Sequence, residues 1–164
     1  MRHAKASWRE ATADHERPLN GRGRRAAPFM GELLLKNSLV PDFVMTSTAA
    51  RALDTAKAVA AAAAYDGPLE MMRQLYLAEP AAYLQALLDV PAGKQCVLVV
   101  GHNPGISDLL FLLSGEERDM PTAAIAEVRL DLSEFGAATA ETRGKLVKFW
   151  RPREERKDDK KSRG

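Results

Sequence analysis

An Arg-His pair, Arg2-His3, opens the chain; a second arginine, Arg51, follows the apolar run 43–47, and a second histidine, His102, follows the apolar run 96–101. These residue types suit chemistry on an anion. A phosphoryl group in transfer spreads negative charge over three equatorial oxygens, and convergent cationic donors stabilise it. Arginine does this best, because its fork of N–H groups matches a phosphate edge. If the two runs are parallel strands of one sheet, Arg51 and His102 emerge together at the carboxyl edge, where open α/β sheets bind ligands.

The elements that must position them are short. Apolar runs at 43–47, 96–101, 125–131 and 146–150 read as strands, the first two nearly continuous in apolar residues, as strands covered on both faces are. Helical patterns fill 22–36, 49–64, 80–88 and 104 or 105 to 113. The Ala-rich second helix has Ser47-Thr48 as a cap at its start and Asp66-Gly67-Pro68 as a stop. Pro80 and Pro104 suit first turns. The stretch 133–144 is polar, so the last two strands are expected to pair antiparallel as a hairpin. The sheet is then mixed, mostly parallel, in an α/β fold.

Length and composition bound the rest. A chain of 164 residues with 46% apolar and 28% charged residues fits one domain with one core and argues against disorder. We place that domain at 1–150. From Arg151 to Gly164 the sequence is charged and, Pro152 aside, without apolar residues, which predicts a solvated, disordered tail. The single cysteine, Cys96, excludes an intramolecular disulfide and a Cys-rich metal site, and predicts a reduced, cytoplasmic setting. No run approaches the roughly 18 apolar residues of a membrane span, so no membrane is expected as a partner. A net charge of +2 and a mixed-sign tail give no reason to expect nucleic acid. No His/Asp/Glu cluster has metal-ligand spacing, and neither a Gly-x-x-x-x-Gly-Lys-Ser/Thr loop nor a Gly-x-Ser-x-Gly elbow is present.

Four segments together resemble the histidine phosphatase superfamily, and within it the short SixA-type phosphohistidine phosphatases. Arg2-His3-Ala4-Lys5 resembles the family's Arg-His signature, and the segment from Asp14 to Gly23, with Arg17-Pro18-Leu19-Asn20, its Arg-Pro-Leu loop. Ser47-Thr48-Ala49-Ala50-Arg51 resembles its second arginine segment, and Gly101-His102-Asn103-Pro104-Gly105 its second histidine segment. The likeness covers residues 1 to 150. It implies a three-layer α/β/α, phosphoglycerate mutase-like fold and metal-independent phosphatase chemistry without a cofactor. His3 would be the nucleophile and carry a covalent phosphohistidine, while Arg2, Arg17, Arg51 and His102 surround the phosphoryl oxygens. A hydrogen bond from Nδ1–H of His3 to a carbonyl would leave Nε2 free to attack. The helix starts after 48 and 103 would add backbone donors.

The same likeness implies a phosphorylated protein bearing phosphohistidine as substrate; the alternative among enzymes is a phosphomonoesterase or pyrophosphatase acting on a small phosphorylated metabolite. A phosphate-binding module without catalysis is the reading from another class. Asp14 and Glu79 are the candidates for a general acid, which an ester needs more than a P–N bond does. Arg22, Arg24, Arg25 and His15 read as surface residues. One departure stands out: the family carries an apolar strand before its Arg-His pair, and here only Met1 precedes it. The expectation is therefore a missing or truncated first strand, a longer natural chain, frayed Arg2 and His3, and a Met1 ammonium charge close to His3.

Overall fold

The computed structural model describes residues 1–8 and 12–155. Asn20 opens α1 (Gly21–Lys36) by accepting from the backbone N–H groups of Arg22 and Gly23, two of the donors that a helix start leaves unpaired. Strand β1 (Phe43–Ser47) follows, buried at all five positions. It leads into α2 (Ala50–Ala62), then β2 (Leu69–Met72), α3 (Pro80–Leu88), β3 (Val97–Val100) and α4 (Gly105–Ser114). The last two strands are β4 (Ile125–Leu130) and β5 (Gly144–Trp150).

Strand β1 lies between β2 and β3, parallel to both, with Val44 opposite Leu69 and Leu98. Period-two alternation sends its side chains to opposite faces. Val44, Leu98 and Val100 join one core with Ala27, Met30, Ala56 and Val59 of α1 and α2. Phe43 and Met45 join the other with Leu84, Leu87, Leu109 and Leu110 of α3 and α4. The result is a three-layer α/β/α sandwich. Strands β4 and β5 pair antiparallel from Ile125 opposite Trp150 to Leu130 opposite Gly144, the hairpin-like pair that the polar stretch predicts.

The local differences have local causes. Strand β2 was not anticipated, because Leu69-Glu70-Met71-Met72 is an edge strand with two exposed positions and no apolar run. The cap expected of Ser47-Thr48 is not the one formed. Ala49 is the N-cap of α2, without a side-chain cap bond; Ser47 Oγ accepts from the Ala49 N–H instead, and the Thr48 hydroxyl is 2.9 Å from His15 Nε2. Of the expected tail, residues 152–155 form a helical turn, with Arg151 3.3 Å from Glu154. Residues 156–164 lie outside the described residues.

Residues 1–3 run between β3 and β4. The Met1 amine donates to the Val99 carbonyl at 2.7 Å, the Gly101 N–H to the Met1 carbonyl at 3.0 Å, and the His3 N–H to the Gly101 carbonyl at 3.0 Å. On the other side the Arg2 N–H donates to Ala124 at 3.1 Å and the Ala123 N–H to Arg2 at 3.2 Å. Beyond Met1 the two sheet segments share no ladder, and a slot of about 390 Å³, lined by Leu98, Val99, Ala126, Val128 and Trp150 among others, separates them. Two sequence expectations are corrected here. Arg2 and His3 are not frayed, because backbone bonds tie them on both sides. Nor does Met1 set a lasting charge beside His3, because burial lowers the amine's pKa from 8.0 to about 5.

Candidate active site

His3 is held by the chain that follows it. Its Nδ1 lies 2.8 Å from the Ala4 carbonyl oxygen. A carbonyl only accepts, so Nδ1 carries the proton and Nε2 of the neutral ring keeps its lone pair. The Ala4 N–H donates in turn to Thr55 Oγ1 at 2.9 Å, and the Thr55 hydroxyl donates to the Arg51 carbonyl at 2.6 Å. Thr55 is fully buried one turn along α2 from Arg51. It thereby fixes the backbone of the first histidine segment against the helix that carries the second arginine.

His102 sits just past the end of β3, its ring centroid 5.0 Å from that of His3. Its backbone N–H donates to the buried Tyr83 hydroxyl at 3.1 Å. His102 is 1% exposed, yet among the described residues neither ring nitrogen has a hydrogen-bond partner. Buried polar atoms are seldom left so, since an unmade hydrogen bond costs about 1–3 kcal/mol. Arg2 is similar in part: one terminal nitrogen donates to the Met120 carbonyl at 2.8 Å, while Nε is buried without a partner. Unpaired nitrogens of both residues therefore stand at the strand ends.

Arg17 and Arg51 meet at the other side. Arg51, 4% exposed, donates to the Asp14 carbonyl oxygen and, at 2.9 Å, to Asp14 Oδ2. Arg17 donates to Asp14 Oδ1 at 2.8 Å and to the Ser7 carbonyl, and its guanidinium stacks 3.5 Å from the centre of the exposed Trp8 ring. Tyr76 completes the set, its hydroxyl donating to Asp14 Oδ2 at 2.6 Å and its ring standing edge-on to His102 at 5.6 Å. The Tyr76 hydrogen bond, then those of Arg17 and Arg51, hold the Asp14 carboxyl well below the usual carboxylate range.

The field of this cluster keeps both histidines neutral. Burial first, then Arg51, Arg2 and Arg17, push His3 down to about 4. Burial, His3 and Arg51 push His102 down to about 3. An anion of two charges placed among these groups would reverse that field and favour protonation of His102. At neutral pH the arrangement offers a lone pair at His3 and N–H groups from three arginines. Among the described residues, no three or more His, Cys, Asp or Glu side chains are grouped to hold a metal ion.

The structure thus gathers Arg2, His3, Arg17, Arg51, His102 and Asp14. Glu79 is not among them: it is the exposed N-cap of α3, with no hydrogen bond or ion pair to the cluster. His15, read as a surface residue, is instead half-buried at the rim, with Nε2 near Thr48 and its ring edge-on to Tyr76 at 4.9 Å. Arg22, Arg24 and Arg25 are exposed, as expected. Sequence reasoning missed Tyr76, Thr55 and Tyr83. Thr55 lies four residues after Arg51, one helical turn away, and that spacing was the one available signal.

The histidine phosphatase superfamily (branch 1) model matches residues 1–76. An uncharacterised protein of Mycobacterium tuberculosis, Rv1276c, is 36% identical over 141 residues, covering 79% of this chain and 87% of that protein. A provisionally named phosphohistidine phosphatase SixA from Nakamurella multipartitia superposes with a TM-score of 0.80 at 28% identity, over 93% of each chain. The protein histidine phosphatase SixA complexed with tungstate gives 0.77 at 29% identity, over 94% of this chain and 96% of that one. On its motifs, its fold and these relatives, the chain belongs to the histidine phosphatase superfamily.

Proposed function

We propose that the protein is a metal-independent phosphatase that takes a phosphoryl group onto His3 Nε2 and passes it to water, acting on phosphohistidine in a protein. The observation that carries this reading is the His3 ring, neutral and with Nδ1 bound to the Ala4 carbonyl, beside the unpartnered nitrogens of His102 and Arg2. The Nε2 lone pair attacks phosphorus, and the bond to the leaving group breaks with its electron pair. Arg2, Arg17, Arg51 and His102 hold the equatorial oxygens while charge develops there. Water then attacks the phosphohistidine, the P–Nε2 bond breaks, and the neutral ring returns with release of inorganic phosphate.

Two features favour phosphohistidine over an ester. Asp14 is ionised in its hydrogen bonds to Arg17, Arg51 and Tyr76 and has no proton to give, and Glu79 makes no hydrogen bond or ion pair to the cluster, so among the described residues no carboxylic acid is held in place for an alkoxide leaving group. An imidazole leaving group needs none. Likeness to a protein histidine phosphatase that binds tungstate, an oxyanion, points the same way. The test is turnover of a phosphohistidine peptide and of para-nitrophenyl phosphate in EDTA, by wild type and His3→Ala. Preference for the peptide, with turnover abolished by the substitution, is expected. Preference for the ester would make the protein a small-molecule phosphomonoesterase, and phosphate binding without turnover of either would make it a binding module.

A further inference from the structure

Asp14 does two things that a general acid does not: it is ionised, and it is bound by the very cations that a phosphate would need. Its side chain is 47% exposed, whereas those of Arg17 and Arg51 beneath it are 11% and 4% exposed. The carboxylate therefore caps the inner cations from the solvent side. A phosphoryl group seated among Arg17, Arg51, His102 and His3 competes with that carboxylate for the same N–H groups, and like charges a few ångströms apart repel. Among the described residues, Tyr76 is the one side-chain partner of Asp14 that is not cationic, and its hydroxyl holds Oδ2 at 2.6 Å. Displaced from the arginines, the carboxylate stays tethered by Tyr76 on the solvent side of the cluster, where a leaving group that exits to solvent would pass it.

We infer that Asp14, tethered by Tyr76, is a specificity-determining residue that selects substrates in which the phosphoryl group is carried by a nitrogen heterocycle that is cationic while phosphorylated. The inference rests on the phosphatase reading above. An N-phosphorylated imidazole protonated on its second nitrogen carries an N–H that an ionised carboxylate accepts. When His3 Nε2 forms its bond to phosphorus, the P–N bond of the substrate breaks, its electron pair returns to the ring, and neutral imidazole leaves with the proton still on the second nitrogen. No further proton donor is required. With an aryl or alkyl ester the departing oxygen gathers negative charge instead, and a carboxylate at the mouth opposes it. One residue thus favours P–N substrates and disfavours P–O substrates.

The experiment compares kcat/KM for a phosphohistidine peptide and for para-nitrophenyl phosphate in wild type, Asp14→Asn, Asp14→Glu and Tyr76→Phe, with thermal unfolding to verify that each variant is folded. Hydrogen bonds to charged groups are among the stronger ones, so removing the charge is expected to lower the peptide-to-ester ratio by about tenfold or more. That fall includes a rise in ester turnover as the repulsion is lifted. Asp14→Glu, which keeps the charge, is expected to recover most of the ratio, and Tyr76→Phe to lower it in part. An unchanged ratio in folded Asp14→Asn, beside a wild type active on both substrates, overturns the role of Asp14 and leaves the phosphatase reading intact. A wild type that hydrolyses only the ester overturns both.

Discussion

Extending the chain upstream of Met1 by an apolar pentapeptide of alternating Val and Ile converts the buried terminal amine into an ordinary amide, and this change has a pH signature. The amine donates to the Val99 carbonyl from a fully buried position, and its pKa falls from 8.0 to about 5. At about 1.4 kcal/mol for each tenfold change in proton affinity, the protonated amine costs the folded state about 4 kcal/mol. Because the folded pKa lies below the unfolded one, the unfolded chain binds more protons between about pH 5 and pH 8. Stability therefore rises with pH across that window, with the full cost present below it and none above it. His3 and His102 also have lowered values, but they titrate in both chains alike and cancel in the difference. The amide of the extended chain donates to Val99 without titrating, and the added side chains fill the slot of about 390 Å³ between β3 and β4. Thermal unfolding of both chains from pH 5 to 8 reads the effect. The extended chain should be more stable throughout, and its advantage at pH 5 should exceed that at pH 8 by about 3 kcal/mol, which is roughly 6–12 °C for a domain of this size. An advantage that does not change with pH would refute the buried-amine argument, and no advantage at all would show that an added apolar segment does not fill the slot.

Two further outcomes follow from the site. With His3 as the proposed nucleophile and its pKa lowered to about 4 in the free protein, the enzyme's own acid limb in kcat/KM should lie near pH 4 once the titration of the substrate's ring is divided out; an enzyme limb near 6.5 would mean that the burial and the arginine field act less than described. Thr55→Val keeps shape but leaves the buried Ala4 N–H without its acceptor, so it should lower stability by about 1–3 kcal/mol, read by urea unfolding, and lower turnover as the His3 segment loosens. Unaltered turnover would show that Ala4 does not position the ring.

Much of this was legible because the chemistry sits at ends of elements that announce themselves. The buried run 43–47 and the helix from Pro80 to Leu88 were read with their observed bounds, and with them came Arg51 and the edge on which it stands. What escaped reading was whatever depends on partners distant in sequence. Nothing local marks Tyr76 as a neighbour of Asp14, 62 residues earlier, or Tyr83 as the group that pins the His102 backbone. Residue type alone makes Asp14 a candidate acid; the convergence of Arg17, Arg51 and Tyr76, distant from one another in sequence, holds it as a carboxylate. Residues 1–3 are a further case: the local sequence predicts fraying, whereas hydrogen bonds with Val99, Gly101 and Ala124, all distant in sequence, hold the segment.

The most direct test of the central claim is to look for the covalent intermediate itself. Wild type mixed with a substrate labelled in its phosphoryl group, quenched within milliseconds in alkali and digested, should carry label on the peptide that contains His3. The label should be stable to base, labile to acid and absent in His3→Ala. Turnover without a labelled peptide, or label on His15 or His102 in place of His3, would contradict the account.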